Sequence, residues 1–249
     1  APPYFAMVHF AGTHAPYFVD PAIAPHQPWD RSPAWGKLDK LHNAYKNAIL
    51  AQDASVDRCL DAFLRAHAGR PWIVVYTSDH GEAFGERGAI HHGQGLYEEQ
   101  IRVPAWVMHA EGALPAARAA ALRARAARPT THLDVLPTVL DALGLLGALG
   151  MEGQAARFAG RSLMATEPMP PWAPVPITNC TAMFRCPVST WGMLGERRVL
   201  LAQPWDTRFR CADLRAPQGM VEPFDAECDG LLAASRRYFP DLPNKQPNR

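Results

Sequence analysis

The stretch WIVVYTSDHGEAFGERGAIHHGQGLYEEQIRVPAWVMHA, residues 72–110, decides how the rest of the chain is read. It opens on Trp72–Tyr76, a run of β-branched and aromatic residues without polar alternation, the pattern of a strand covered on both faces in a largely parallel sheet. It closes on a second strand-like run, Val103–Ala110. Between them stand an Asp, His residues, glutamates and closely spaced glycines, a collection that a plain connection does not need. Open α/β sheets bind ligands beyond the carboxyl ends of their strands, and Ser78-Asp79-His80-Gly81 is placed where the first strand runs out. Successive side chains of a strand face opposite ways, so Asp79 and His80 share one target only where the extended chain has ended. Gly81 supplies that break, because it tolerates the backbone angles of a tight turn.

A carboxylate and an imidazole converging at such a turn make half of a metal site. Imidazole favours zinc or manganese, since magnesium and calcium prefer shells of oxygen. Two ligands are too few; the others must come from elsewhere, and a catalytic ion keeps one position open for substrate. His92 lies beyond the glycine-rich turn within reach of the same crevice, and His14, in GTHAPY (12–17), joins the same sheet edge if the two strands are neighbours. Glu82 and Glu86 are read as acceptors that orient the imidazoles. The plain alternative is a turn cap beside a surface histidine. One of His91 and His92 is expected to face solvent, Tyr97, Glu98 and Glu99 to begin a short covering helix, and His9 and His109 to be core histidines of apolar strands.

The rest of the chain frames that stretch. With 249 residues, 48% hydrophobic and 20% charged, it can bury one large core, or a core plus a smaller lobe. Lys+Arg 25 against Asp+Glu 24 gives a net charge of +1, which points to neither nucleic acid nor a membrane surface. No apolar stretch is long enough to span a bilayer, and APPYFAMVHF lacks both an initiating Met and a basic flank, so the start reads as a cut inside a longer protein.

Tyr4–Phe10 has the pattern of a buried strand. Pro16–Pro33 is too punctuated for regular structure, and Lys37–His67 carries helical spacing. An Ala/Arg-rich helix is expected from Pro115 to Arg128 with its arginines on a solvated face. Another should open on Thr130 or Thr131 and close near Gly144, with Pro137 kinking it or marking a late start. Strand and helix in alternation argue for a three-layer α/β domain. Beyond Gly160 a Pro-rich connector leads to short strand-like pieces and a terminal helix near Leu231–Tyr238, a small antiparallel lobe. The boundary is drawn between 1–165 and 166–249. Of five cysteines, Cys59 stands alone, while Cys180, Cys186, Cys211 and Cys228 allow two disulfides in three pairings and favour an oxidising, extracytoplasmic compartment. NCT at Asn179 is a formal glycosylation triplet of little weight.

SDHGEAFGERGAIHHGQGLYEEQIRVPAWV (78–107) resembles the C-terminal half of the sulfatase branch of the alkaline phosphatase superfamily. HFAGTHAPY (9–17), NAYKNAILAQDASVD (43–57), THLDVLPTVLDALGL (131–145) and FAGRSL (158–163) support it, so the resemblance runs from Val8 to Leu163. It implies an alkaline phosphatase-like three-layer α/β/α sandwich with a largely parallel sheet and a small C-terminal antiparallel β lobe. It implies Asp79 and His80 as ligands of a divalent metal ion (zinc, manganese or calcium), and His14 and His92 as groups that contact the sulfuryl or phosphoryl unit and assist proton transfer. The implied reaction is sulfate ester hydrolysis by displacement at sulfur through a hydroxyl nucleophile. That nucleophile and the remaining acidic ligands belong upstream of everything seen here; RCPVST (185–190) lacks the Arg of the sulfatase signature. The chain alone is therefore expected to be inactive. The same motifs fit phosphoethanolamine or phosphoglycerol transferases and phosphodiesterases of the superfamily, and a noncatalytic relative binding lipid or protein is the reading from another class. The implied substrate is a small-molecule, lipid or glycan ester, in the periplasm or cell envelope, with any membrane anchor outside these residues.

Overall fold

The computed structural model describes residues 4–93, 95–126, 128–148, 158, 160–167, 174–178, 191–202, 206–214, 224–238 and 246–247. The chain forms two compact units, Ala1–Ala11 with Gln52–Thr77 and Ala105–Met169, and Gly12–Ala51 with Ser78–Pro104 and Pro170–Arg249. Helix α1 (Leu38–Ala66) belongs to both, residues 38–51 to the second unit and 52–66 to the first. Strands β1 (Ile73–Thr77) and β4 (Ala105–His109) bracket the two-residue strands β2 (Ala83–Phe84) and β3 (Ile90–His91) and the one-turn helix α2 (Glu98–Ile101).

In the first unit β1 pairs with β4 antiparallel, from Ile73 opposite His109 to Thr77 opposite Ala105. The largely parallel sheet predicted from the alternation of elements does not form among the described residues. The residues of β1 are part-buried throughout and not covered on both faces as predicted, and an unalternating apolar run leaves the direction of the neighbouring strand open. Tyr76 and Trp106, directly opposed, stack with centroids 4.9 Å apart and planes within 5°. Residues 4–10, predicted as a buried strand, are irregular, and Tyr4, Phe5, Met7 and Val8 are at least 60% exposed. A strand exists through its ladder hydrogen bonds; among the described residues this segment joins no ladder, and its apolar side chains are exposed. His9 is accordingly exposed and no core histidine, while His109 is part-buried.

Helices α3 (Ala116–Arg125), α4 (Val135–Ala142) and α5 (Leu145–Ala148) complete that unit. Thr131 caps the turn leading into α4 through a capping box with Asp134, which places Pro137 in the first helical turn, where a missing N–H costs nothing. Gly144 closes it at φ +69°. Residues 160–164 lie tightly on α4: Arg161 N donates to Asp134, Leu163 N to the Thr138 hydroxyl, and Ser162 Oγ to Asp141. A Cβ on Gly160 would collide with the Leu133 carbonyl. The arginines of α3 are not simply solvated. Arg118 pairs with Asp141 at 2.9 Å, and Arg125 is 6% exposed and donates to the Ala165 carbonyl.

In the second unit, α1 buries Leu41, Ala44, Asn47, Ala48 and Ala51, a stripe at spacings of three and four. Against it pack Tyr17, Phe84 and Ile90. Asn47 is fully buried and clamps the Pro-rich loop, accepting from His26 N and donating to His26 O. Farther along, β5 (Val175–Thr178), β6 (Trp191–Leu194), β7 (Arg198–Ala202) and β8 (Arg208–Asp213) pair antiparallel in sequence order, and β9 (Gln246–Pro247) adds to β8 in parallel. Alternation along β7 divides the core. Leu200 and Ala202 cluster with Phe209, Cys228 and Leu231 of helix α6 (Ala226–Tyr238), whereas Val199 and Leu201 cluster with Leu96 and Tyr97. Cys211 and Cys228 form a disulfide joining β8 to α6. Asn179, Cys180, Cys186 and residues 185–190 lie outside the described residues.

Candidate active site

Past the end of β1 the chain turns through Asp79 to Gly81, whose φ is not in the left-handed region, so the glycine predicted for its backbone angles is required instead by a close approach. Gly81 N donates to the Gln100 carbonyl at 2.8 Å, and a Cβ at position 81 would overlap the Glu99 carbonyl. The turn is thus pressed against α2, and only glycine fits between them. Its side chains close it locally: His80 N donates to Asp79 Oδ1 at 3.0 Å, and Ser78 Oγ donates to the His80 carbonyl at 2.9 Å. Burial alone would raise the pKa of Asp79, but the charge of His80, the amides of Asp79 and His80 and the Ser78 hydroxyl outweigh it, and the carboxyl titrates below its usual range. At neutral pH Asp79 is a carboxylate.

Three imidazoles meet here. The rings of His80 and His92 are 3.9 Å apart at their centroids, and those of His14 and His92 5.5 Å, edge to face. Each has Nδ1 against an oxygen: His14 against the Ala15 carbonyl at 2.7 Å, His80 against the Gly81 carbonyl at 2.8 Å, His92 against Glu82 Oε1 at 3.1 Å. A carbonyl or carboxylate only accepts, so Nδ1 carries the proton in all three and Nε2 is the atom each ring presents.

Behind His92 stands Glu82, whose side chain is only 4% exposed. Its Oε1 faces His92 and, at 4.0 Å, His91 Nδ1, while Oε2 accepts from the Tyr17 hydroxyl at 3.2 Å. The Tyr17 oxygen also lies 3.3 Å from His91 Nδ1. One of the adjacent histidines was expected to face solvent, as strand alternation demands. Instead both are about 30% exposed and both face Glu82. His91 adopts φ +68°, a left-handed conformation that folds the chain immediately after β3 and brings consecutive side chains to one side.

Glu86 is placed differently from Glu82. Its carboxylate accepts from the Phe84 amide at 2.5 Å and holds the β2 turn, so it is not brought to the imidazoles. The Asp79–His80 pair fits a divalent ion as far as it goes. His80 Nε2 lies 3.7 Å from Asp79 Oδ2, close to the ~3.4 Å separating two tetrahedral ligands at zinc distances. Among the described residues no cluster of three or more His, Cys, Asp or Glu is arranged to hold a metal. The short helix predicted at Tyr97–Glu99 forms as α2 with Tyr97 at its N-cap, anchored by the Arg87–Glu99 ion pair and by Arg87 stacked 4.4 Å over Tyr97.

Sequence reasoning missed Tyr17 and the part taken by His91. Tyr17 is fully buried, with burial and then the Glu82 charge pushing its pKa up. The available signal was an aromatic residue three positions after His14, on the one loop already singled out.

The sequence model of the Sulfatase family matches residues 1–145. Phosphatidylethanolamine transferase Mcr-1 of Escherichia coli is 34% identical over 145 residues, 54% of this chain and 25% of that protein. Steryl-sulfatase of Mus musculus is 30% identical over 156 residues, 58% of this chain and 22% of that protein. Among solved structures, the phosphonate monoester hydrolase SpPMH from Silicibacter pomeroyi superposes with a TM-score of 0.52 at 17% identity, over 87% of this chain and 44% of that one. The fold is therefore sulfatase-like, and the chain spans about a quarter or less of these curated relatives.

Proposed function

Because the chain belongs to the sulfatase family, we propose that it carries the metal-binding and proton-transfer side of an active site that displaces a group at sulfur or phosphorus, hydrolysing sulfate esters of a small molecule, lipid or glycan. The observation that carries this reading is the meeting of His14, His80 and His92, three rings in contact with Nδ1 of each held on an oxygen. Within it the roles divide by partner. His80 Nε2 and the Asp79 carboxylate would hold a divalent cation (zinc, manganese or calcium), which supplies charge neutralisation at the transferring group and lowers the pKa of an attacking hydroxyl. His92, with Nδ1–H on Glu82, holds a proton at Nε2 for the leaving oxygen when its ring is charged, and the carboxylate behind it stabilises that charge. His14, with Nδ1–H on the Ala15 carbonyl, donates from Nε2 to an equatorial oxygen of the group when its ring is charged. The nucleophile and remaining ligands come from outside these residues in this reading, and the three-layer parallel sandwich is the architecture of the assembled domain.

A second reading, transfer of phosphoethanolamine to an acceptor other than water, is favoured by the similarity to Mcr-1. The Cys211–Cys228 disulfide supports a place outside the cytoplasm for either. Among the described residues no helix is long and apolar enough to cross a membrane.

The test uses the intact protein with p-nitrophenyl sulfate, bis(p-nitrophenyl) phosphate and a phosphatidylethanolamine donor, alongside elemental analysis for bound metal. Turnover of the first or the last separates the two readings. His80→Ala is expected to lose metal and activity together. His92→Ala is expected to keep the metal and slow turnover by about 10²- to 10⁴-fold. An intact protein that holds no divalent metal and turns over none of the three belongs to the binding-only class.

A further inference from the structure

We infer that Tyr17 is a positioning residue of this site: its buried hydroxyl fixes the Glu82 carboxylate, and through it the orientation of His92. The inference rests on the role proposed for His92. Glu82 is a carboxylate withdrawn from water, and such a group needs donors on both oxygens. Oε1 faces His92, and Oε2 receives the Tyr17 hydroxyl. Because that proton is committed to Glu82, the 3.3 Å approach of His91 Nδ1 to the same hydroxyl oxygen is a donation from the ring. A directed chain results, from His91 through Tyr17 to one carboxylate oxygen, with His92 on the other.

The tyrosine is itself fixed. Its ring is fully buried in the cluster with Leu41, Ala44 and Ala48 and meets Tyr45 edge to face at 5.3 Å. Phe84, next to β2's Ala83, lies 6.2 Å away. Two segments far apart in the sequence, the Pro-rich loop after His14 and the turn after β1, are thereby tied at one carboxylate. The left-handed backbone at His91 fits the same arrangement, since without it His91 and His92 could not both face Glu82. Burial and the Glu82 charge also keep the phenol protonated, so it remains a donor.

Tyr17→Phe in the intact protein removes the hydroxyl and keeps the ring. It is expected to lower kcat about ten-fold, with KM and bound metal unchanged. The Glu82→Gln, Tyr17→Phe double variant should be no slower than Glu82→Gln alone. A readout independent of activity is the ¹⁵N signal of the His92 imidazole: in Tyr17→Phe it should move from a fixed Nδ1–H tautomer toward the exchanging average. Wild-type kcat with an unmoved His92 signal overturns the inference while leaving the proposed function standing; so do effects of the two substitutions that multiply. A shifted His92 signal in a protein without turnover supports the positioning role and sinks the function instead. If Tyr17→Phe does not fold, the same signal is read in Glu82→Gln, where an unmoved tautomer also overturns the inference.

Discussion

Residues 78–104 and the sheet formed by β5–β9 with α6 share one compact unit and are held in place by different means. The sheet is secured by apolar burial. All five residues of β7 are buried, Phe209, Leu200 and Leu231 pack on one side of it, and a disulfide fastens α6 to β8. The site stretch has two-residue strands, a one-turn helix and positive φ at Arg87 and His91, and relies on buried hydrogen bonds, the Arg87–Glu99 pair and a backbone contact at Gly81. The two meet where Val199 and Leu201 pack against Leu96 and Tyr97, just ahead of α2. The lesson is a division of labour: apolar layers tolerate imprecision and supply stability, whereas the polar stretch fixes donor and acceptor positions and gains its rigidity from the layer beneath.

Breaking that junction gives the largest expected effects. Leu200→Ala and Leu201→Ala each remove a buried leucine from the same strand and should each cost about 2–5 kcal/mol in chemical denaturation. Only Leu201→Ala, which opens the side facing Leu96 and Tyr97, should also perturb the His80 and His92 imidazole signals; equal perturbation by both would erase the distinction drawn between the two faces. Next, replacing Cys211 and Cys228 by Ser should lower stability by about 3 kcal/mol, read from the thermal midpoint, with the site signals unchanged below the transition. Gly81→Ala should cost about 1–3 kcal/mol through overpacking against Glu99, and here the balance reverses: the His80 and His92 imidazole signals move well before the sheet is affected.

The smallest effect is at Asp225, which caps α6 by accepting from Cys228 N at 3.0 Å and pairs with Arg198. Asp225→Ala should cost about 1 kcal/mol. The Cys228 amide, then Arg198, hold its pKa below the usual carboxylate value. A carboxyl lowered on folding contributes stability that is complete above its unfolded pKa of about 3.9 and disappears as pH falls through the folded value. The difference in stability between wild type and variant should therefore be constant from pH 5 to 8 and shrink below pH 4. A difference that grows on acidification would contradict the cap.

Where local chemistry decides position, the sequence is legible. Asp79, His80 and Gly81 follow from a strand ending at a glycine, α1 from spacing, the start of the turn into α4 from an N-cap at Thr130 or Thr131, and the terminal lobe from short runs between Gly and Pro. What escapes it depends on partners distant in the chain. No pattern around Tyr17 announces a carboxylate at position 82, and none around His91 announces the left-handed backbone that accompanies its approach to Glu82. Tyr4–Phe10 has strand composition without a strand neighbour, and Glu82 and Glu86, alike in sequence, part ways because the first points inward and the second to a local amide.

The contact between Gly81 and the Glu99 carbonyl has a consequence for how this site can diverge. With no room for even a methyl group, any residue larger than glycine at position 81 would push the stretch bearing Asp79 and His80 away from α2 and re-aim both side chains. Novel chemistry on this scaffold must be acquired at the periphery, by exchanging what approaches the histidines, while the seat under them stays as it is.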